Sequence, residues 1–272
     1  MAEVVSLHRE DNGLVLKERH GAVLRLTLNR PPANALSIAL MEALALELDA
    51  AAAMDDVQVV VLAANGALFS AGQDLKELTA HRADPDGGQA FFEKTFRLSA
   101  DLMLKVAGLP QPVIAEIDGL ATAAGCQLVA TCDLAICTDT STFCTPGVNI
   151  GLFCSTPMVA VTRAAHPKQA MEMLLTGETI DASTAKDFGL VNRIVPKQYL
   201  RQVVDKYAAV IASKSPEALR IGKAAYRAQA GLPLPDAYDK AVAVMAENLT
   251  RGDAEEGISA FLGKRMPEWE KN

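Results

Sequence analysis

No two of the five cysteines are spaced as Cys-x-x-Cys, and their number is odd. All of them (Cys126, Cys132, Cys137, Cys144 and Cys154) fall within 126–154, while the four histidines (His8, His20, His81 and His166) stand elsewhere in the chain. A disulfide framework or a zinc site needs paired ligands, so these thiols read as free, buried and kept reduced, which points to a cytoplasmic setting. An uninterrupted apolar run of about 18 residues is also lacking, which excludes insertion as a membrane-spanning helix. The N-terminal MAEVVSLHRE has neither the basic start and apolar core of a signal peptide nor the Arg-rich, acid-poor look of a transit peptide. Basic charge is in deficit: 26 Lys and Arg against 33 Asp and Glu give a net charge of -7, which argues against a general nucleic-acid surface. Neither a solenoid-period repeat nor a low-complexity tract beyond Ala-rich helix is present.

What is present reads as an α/β protein with a helical C-terminal part. Segments 14–18 and 22–28 are short, rich in β-formers and separated by His20-Gly21, as in a hairpin, and Pro31-Pro32 ends the second strand. Residues 37–54 are rich in Ala, Leu, Glu and Met, with Ser37 placed to cap a helix. The run 57–63 is almost wholly apolar, as expected of a strand covered on both faces. A short helix at 74–78 leads into the Gly- and acid-rich segment 81–88, a candidate mobile loop. A long helix at 89–107, a strand at 112–117, a helix at 127–131 and a strand near 134–137 follow. Repeated strand-turn-helix units imply an α/β core with right-handed crossovers. Beyond about residue 157 the strand signal almost disappears, and helices are expected near 156–165, 167–175, 182–187, 197–213, 215–229, 235–250 and 253–263. We therefore divide the chain into a core over 1–200 and a helical region over 201–272.

Two small-residue turns carry the chemistry. The stretch GLATAAGCQ at 119–127 delivers a strand into a helix N-terminus, where unpaired N–H groups and the positive end of the helix dipole coincide. Side chains of hydrogen or methyl size at Ala123, Ala124 and Gly125 let an acceptor come close to those donors. A second such turn, FSAGQD at 69–74, follows the other strongly apolar strand. Two donors from two turns, aimed at one oxygen, would make an oxyanion hole. Taken alone, the small residues serve equally well to let helix and strand pack closely.

The order of motifs adds to this reading. NRPPANAL at 29–36, FSAGQDL at 69–75, DGLATAAGC at 118–126 with Cys132-Asp133, Thr145-Pro-Gly and FGLVN at 188–192 together resemble the crotonase (enoyl-CoA hydratase/isomerase) superfamily. The resemblance runs from about residue 13 to Trp269. It implies a spiral of ββα units with a C-terminal all-helical trimerisation region, assembled as a homotrimer or a dimer of trimers. It also implies an acyl-CoA ligand, no cofactor beyond the CoA thioester itself, and a place in fatty acid metabolism as a lyase or isomerase. Matched position by position, the two oxyanion-hole donors fall on the N–H groups of Gln73 and Ala124, the latter in the middle of what is usually a run of three glycines. Contacts to CoA fall around Ala33 and Ala35, around Ala71, Asp74 and Leu75, and on Phe261 and Lys264 near the C-terminus.

Departures from the pattern bear on mechanism. Hydratases of this family carry one glutamate just after the glycine turn and another just after the proline that follows the next strand. Gln127 and Gly147 occupy those positions here. A glutamine amide does not shuttle protons at neutral pH, and losing one general acid or base slows a reaction about 100- to 10,000-fold. Standard enoyl-CoA hydratase activity is therefore expected to be weak or absent. Cys126, Cys144, Thr145, Cys154 and Ser155 are read as structural, and Lys76, Glu77 and His81 as solvated surface. Two alternatives follow: decarboxylation of a malonyl-type CoA, with Asn149 or Gln127 orienting the carboxylate, and a catalytically silent acyl-CoA binder.

Overall fold

The computed structural model describes residues 13–269. The segment read for targeting signals, and His8 within it, lie outside the described residues.

The hairpin forms as expected, from β1 (Val15–His20) and the antiparallel β2 (Val23–Leu28). Helix α1 (Ile38–Ala52) begins where Ser37 accepts the Leu40 N–H, and its first N–H donates at 3.0 Å to the Glu77 carboxylate. Glu77 is thus held by a helix N-terminus, where its negative charge is favourable. Then come β3 (Val59–Ala64), β4 (Leu68–Ser70), α2 (Leu75–Ala80), α3 (Gln89–Gly108), β5 (Val113–Ile117), β6 (Leu120–Thr122) and α4 (Ala124–Thr131). They are followed by β7 (Leu134–Thr138), β8 (Thr142–Cys144), α5 (Ser155–Ala164), α6 (Pro167–Thr176), β9 (Ile180–Asp181), α7 (Ala182–Asp187) and β10 (Arg193–Val195). Four helices close the chain: α8 (Leu200–Ala212), α9 (Pro216–Gln229), α10 (Leu234–Leu249) and α11 (Gly252–Leu262).

The strands form two sheets, ordered β1-β2-β3-β5-β7-β10 and β4-β6-β8-β9. Each successive pair, β3 with β4, β5 with β6, and β7 with β8, sends its first strand to the large sheet and its second to the small one. Helices follow each pair, which is the ββα spiral. Apart from β1 and β9, all pairings are parallel. Alternation along β3 separates two cores: Val60 and Leu62 face the main one, whereas Val59 and Val61 pack with Leu200, Val204 and Ala208 of α8. The change from mixed to helical sequence near residue 200 thus occurs inside a packed layer, because α8 covers one face of the large sheet. Beneath it, the buried Arg25 pairs with Glu116 and, at 2.7 Å, with Asp205 of α8.

Helices α9, α10 and α11 pack on one another. Asp133 ties α9 to the core by accepting from Lys223 at 2.7 Å and from Arg227 at 2.8 Å, while its carboxylate also takes the Val113 N–H. These helices expose an apolar surface that includes Tyr226, Leu234, Tyr238, Val242, Met245 and Leu249.

Three features differ from the sequence reading. The stretch 119–127 contains the short β6, and α4 starts three residues earlier than expected, at Ala124. The strands β8, β9 and β10 carry only two or three residues each, too few for a periodic signal, and exist because a neighbouring strand pairs with them. The segment 81–88, read as a loop, opens with a 3-10 turn at His81–Ala83 and makes local side-chain contacts. His81 stacks on Phe91 with ring centroids 3.5 Å apart, and its Nδ1 lies 2.8 Å from Asp84. Asp86 accepts the N–H groups of Gly88 and Ala90.

Candidate active site

Because β4, β6 and β8 run parallel and adjacent, their carboxyl ends open on the same edge of the small sheet. The turn at 71–74 leaves β4, that at 123–124 leaves β6, and that at 145–147 leaves β8. Crevices outside the carboxyl ends of parallel strands are where α/β proteins commonly bind ligands.

The first two turns touch. A Cβ built on Gly72 would lie 3.0 Å from the Ala124 nitrogen and 2.8 Å from the Thr122 carbonyl oxygen; one built on Gly125 would lie 2.5 Å from the Ser70 carbonyl oxygen. Small residues are therefore a steric requirement at both contacts. The flanking hydrogen bonds run from Leu36 N to Gly72 O at 2.7 Å and from Ala123 N to Cys144 O at 3.0 Å. They leave the N–H groups of Gln73 and Ala124 without a backbone acceptor among the described residues. Ala124 opens α4, so its N–H is one of the donors that a helix cannot satisfy internally. Ala123 sits at φ 50, ψ -116, outside the usual range of an L-residue.

Buried Asn34 fastens the 29–36 loop to this edge. Its side-chain amide donates to Asn65 O at 2.7 Å and Leu68 O at 2.9 Å, and its backbone carbonyl accepts from Ser70 Oγ at 2.8 Å. Ala71 N donates to Ala33 O, and Arg30 bridges Ala35 O and the Asp74 carboxylate. Ala33, Ala35, Ala71 and Asp74 are thereby gathered around the Gln73 turn; Leu75 stands next to them, exposed. Asp74 also accepts the N–H groups of Lys76 and Glu77 and so caps α2. Burial raises its pKa, but Arg30 and those two N–H groups together outweigh it and hold the carboxyl below the usual range.

Gln127 lies one turn into α4 and is 3% exposed. Gln73 donates through Nε2 to Ser99 Oγ of α3 at 2.9 Å. At the third turn, Gly147 is packed closely: an added Cβ would lie 2.9 Å from Leu152 O and 3.0 Å from Cys154 Sγ. Burial pushes the thiols of Cys126 and Cys154 up, away from the thiolate form. Cys144 donates to Thr122 Oγ1, and Thr145 Oγ1 to Met173 O.

Other expected residues are not drawn together with these. Asn149 is exposed and directs its amide to Gly177 O at 3.4 Å. Phe261, 82% exposed, and Lys264 lie on and just beyond α11, which packs on α9 and α10. A cleft of about 800 Å³ runs along α3, lined by Phe92, Phe96, Ala100 and Thr156 among others. Among the described residues, no group of three or more His, Cys, Asp or Glu side chains is placed to hold a metal ion, and no helix is long and apolar enough to cross a membrane. Asn34 and Ser99 escaped the sequence reading. Asn34 was legible as the one polar residue between two alanines of the loop, whereas Ser99 had no signal beyond being a small polar residue within a helix.

Two parallel-stranded sheets wound from ββα units, with small-residue turns meeting at their carboxyl edge, are the architecture of the crotonase fold. The family model described as enoyl-CoA hydratase/isomerase matches residues 18–272, and the chain belongs to that family. Over 256 residues it is 44% identical to the enoyl-CoA hydratase domain-containing protein 3, mitochondrial, of Xenopus laevis, covering 94% of this chain and 85% of that one. It is 33% identical to the 2,3-dehydroadipyl-CoA hydratase of Escherichia coli, covering 94% of this chain and 98% of that one. Among solved structures, an enoyl-CoA hydratase of Mycobacterium smegmatis superposes with a TM-score of 0.89 at 46% identity, covering 94% of this chain and 98% of that one. The cytoplasmic expectation is overturned by these relatives, since five vertebrate proteins at 40–44% identity are named as mitochondrial. Free thiols report a reducing environment and do not distinguish one reducing compartment from another, which is why that inference failed.

Proposed function

We propose that the chain binds acyl-CoA thioesters and holds the thioester oxygen between the N–H groups of Gln73 and Ala124, with standard hydration weak or absent. When charge leaves the α-carbon it moves onto that oxygen, and fixed donors there stabilise the enolate without reorganising. The observation that supports the reading is the close approach of Gly72 to the Ala124 nitrogen, which brings the turns bearing the two proposed donors into contact. Ala33, Ala35, Ala71, Asp74 and Leu75 hold the CoA portion, with Phe261 and Lys264 meeting its adenine and phosphate. The exposed apolar surface of α9 to α11 supports assembly as a homotrimer or dimer of trimers. The reaction needs no cofactor other than the thioester.

Gln127 and Gly147 leave the acid/base positions without a titratable side chain, and burial pushes the thiols of Cys126 and Cys154 up, away from the nucleophilic thiolate. That combination favours chemistry without a protein base, such as loss of CO₂ from a malonyl-type thioester, or binding without turnover. The test is a panel of enoyl-, malonyl-type and saturated acyl-CoAs followed for affinity, hydration, CO₂ release and free thiol. Affinity for several thioesters, abolished by Ala124→Val in a variant that retains its thermal transition, is the expected result. Robust hydration that Gln127→Ala removes would refute the assignment.

A further inference from the structure

Ser70 touches both of the turns that meet at the carboxyl edge of the small sheet. Its hydroxyl is fully buried and is used twice: Oγ accepts the Gly72 N–H at 3.2 Å and donates its own proton to Asn34 O at 2.8 Å. Its carbonyl and Cβ bear on the other turn, where a Cβ built on Gly125 would lie 2.5 Å from Ser70 O and 2.8 Å from Ser70 Cβ. Two places further along, Gly72 is the residue beside the Ala124 nitrogen. One buried residue therefore braces the first turn from within and packs against the second.

The brace acts on the most permissive residue of the turn. Gly72, at φ +80, has no side chain to restrict it, and rotation about its two soft dihedrals would turn the peptide that follows. That peptide carries Gly72 O on one side and the Gln73 N–H on the other, and in a planar trans unit the two point in opposite directions. Leu36 N holds the carbonyl at 2.7 Å, which aims the Gln73 N–H away from Leu36. Ser70 Oγ holds the peptide before Gly72 by its N–H. With the planes on both sides of Gly72 held, its torsions are set, and so is the direction of the Gln73 N–H. Donors that need not reorient are what stabilises a developing oxyanion. Resting on the acyl-CoA reading above, we propose that Ser70 is a positioning residue for the thioester carbonyl: its hydroxyl, anchored on Asn34, locks Gly72 so that the N–H of Gln73 faces the same oxygen as that of Ala124.

The experiment measures dissociation constants of butyryl-CoA and of S-butyl-CoA, the thioether in which a methylene replaces the carbonyl, on the full chain by calorimetry. Their ratio reports the contacts to the carbonyl oxygen alone. The wild-type chain is expected to prefer the thioester by about tenfold, the order of two net hydrogen bonds. Ser70→Ala should reduce that preference to below about threefold, as the loss of one of them would, with S-butyl-CoA binding almost unmoved. A merely structural loss would weaken both ligands alike. Ser70→Cys, whose thiol is a weaker donor and acceptor, should fall between the two and supplies a second reading where the alanine variant does not fold. Ser215→Ala, which removes another buried hydroxyl from the cap of α9, should keep the wild-type preference. A preference that survives in the Ser70 variants, or one that collapses in Ser215→Ala as well, would overturn this inference and leave the acyl-CoA reading intact. Equal binding of the two ligands by the wild-type chain would refute the donor placement, and this inference with it; binding of neither would refute the acyl-CoA reading itself.

Discussion

Gly72 faces the backbone nitrogen of Ala124 with no room for a methyl group between them, since a Cβ there would stand 3.0 Å from that nitrogen. The contact joins residues 52 positions apart in sequence and brings together the two turns that bear the proposed donors. Gly72 also has φ +80, a conformation unfavourable for residues with a Cβ. Gly72→Ala is therefore expected to destabilise the chain by about 2–4 kcal/mol, combining a left-handed backbone with overpacking, and to abolish acyl-CoA affinity. Urea unfolding and calorimetric titration check the two halves of this expectation.

Ala123 should respond in the opposite sense. At φ 50, ψ -116 it occupies a region favoured only by glycine, with strain of about 1–3 kcal/mol. Ala123→Gly removes that strain and gives part of it back through the greater freedom of the unfolded chain, about 0.4–1 kcal/mol. A net gain of about 1 kcal/mol is expected in the urea midpoint at unchanged m-value.

Restoring hydration requires more than one substitution. Gln127→Glu supplies a carboxyl at the first position but leaves Gly147 unchanged at the second. Hydration of crotonyl-CoA by this variant is expected to stay at least about 100-fold below that of a hydratase carrying both glutamates. Gly147→Glu should fold poorly, because its Cβ would press on Leu152 O and Cys154 Sγ; adding Cys154→Ala removes one of those contacts and should recover part of the lost thermal stability.

Acid stability should depend on Asp74. Its carboxyl is held below the usual range in the folded chain, whereas an unfolded aspartate titrates near pH ~3.9. A depressed folded-state pKa means that the unfolded chain binds the proton first. The contribution is complete above about pH 4 and disappears as pH falls through the lower, folded value. Asp74→Asn, which retains an N-cap for α2, should flatten this acid-side loss while lowering stability at neutral pH. Urea midpoints measured between about pH 2 and pH 7 report both effects.

Where local chemistry decides, the chain is readable from its residues. The hairpin at His20-Gly21, the Ser37 cap, the apolar β3 and the helices from α5 to α11 follow from turn chemistry, capping and periodicity, and they were expected within a few residues of where they lie. The small residues at 71–72 and 123–125 marked two turns, and the order of motifs pointed to the family. Tertiary structure alone decided the rest. Three-residue strands such as β8 acquire their identity from the strand beside them, and the His81 segment is held by a ring, Phe91, that no local pattern pairs with it. Above all, the meeting of Gly72 with Ala124 and of Gln73 with Ser99 arises from parallel strands ending side by side and from α3 packing beside them. Sequence determines which groups a turn presents, because that depends on side-chain size and backbone torsion; which groups face one another depends on packing between segments far apart in the chain.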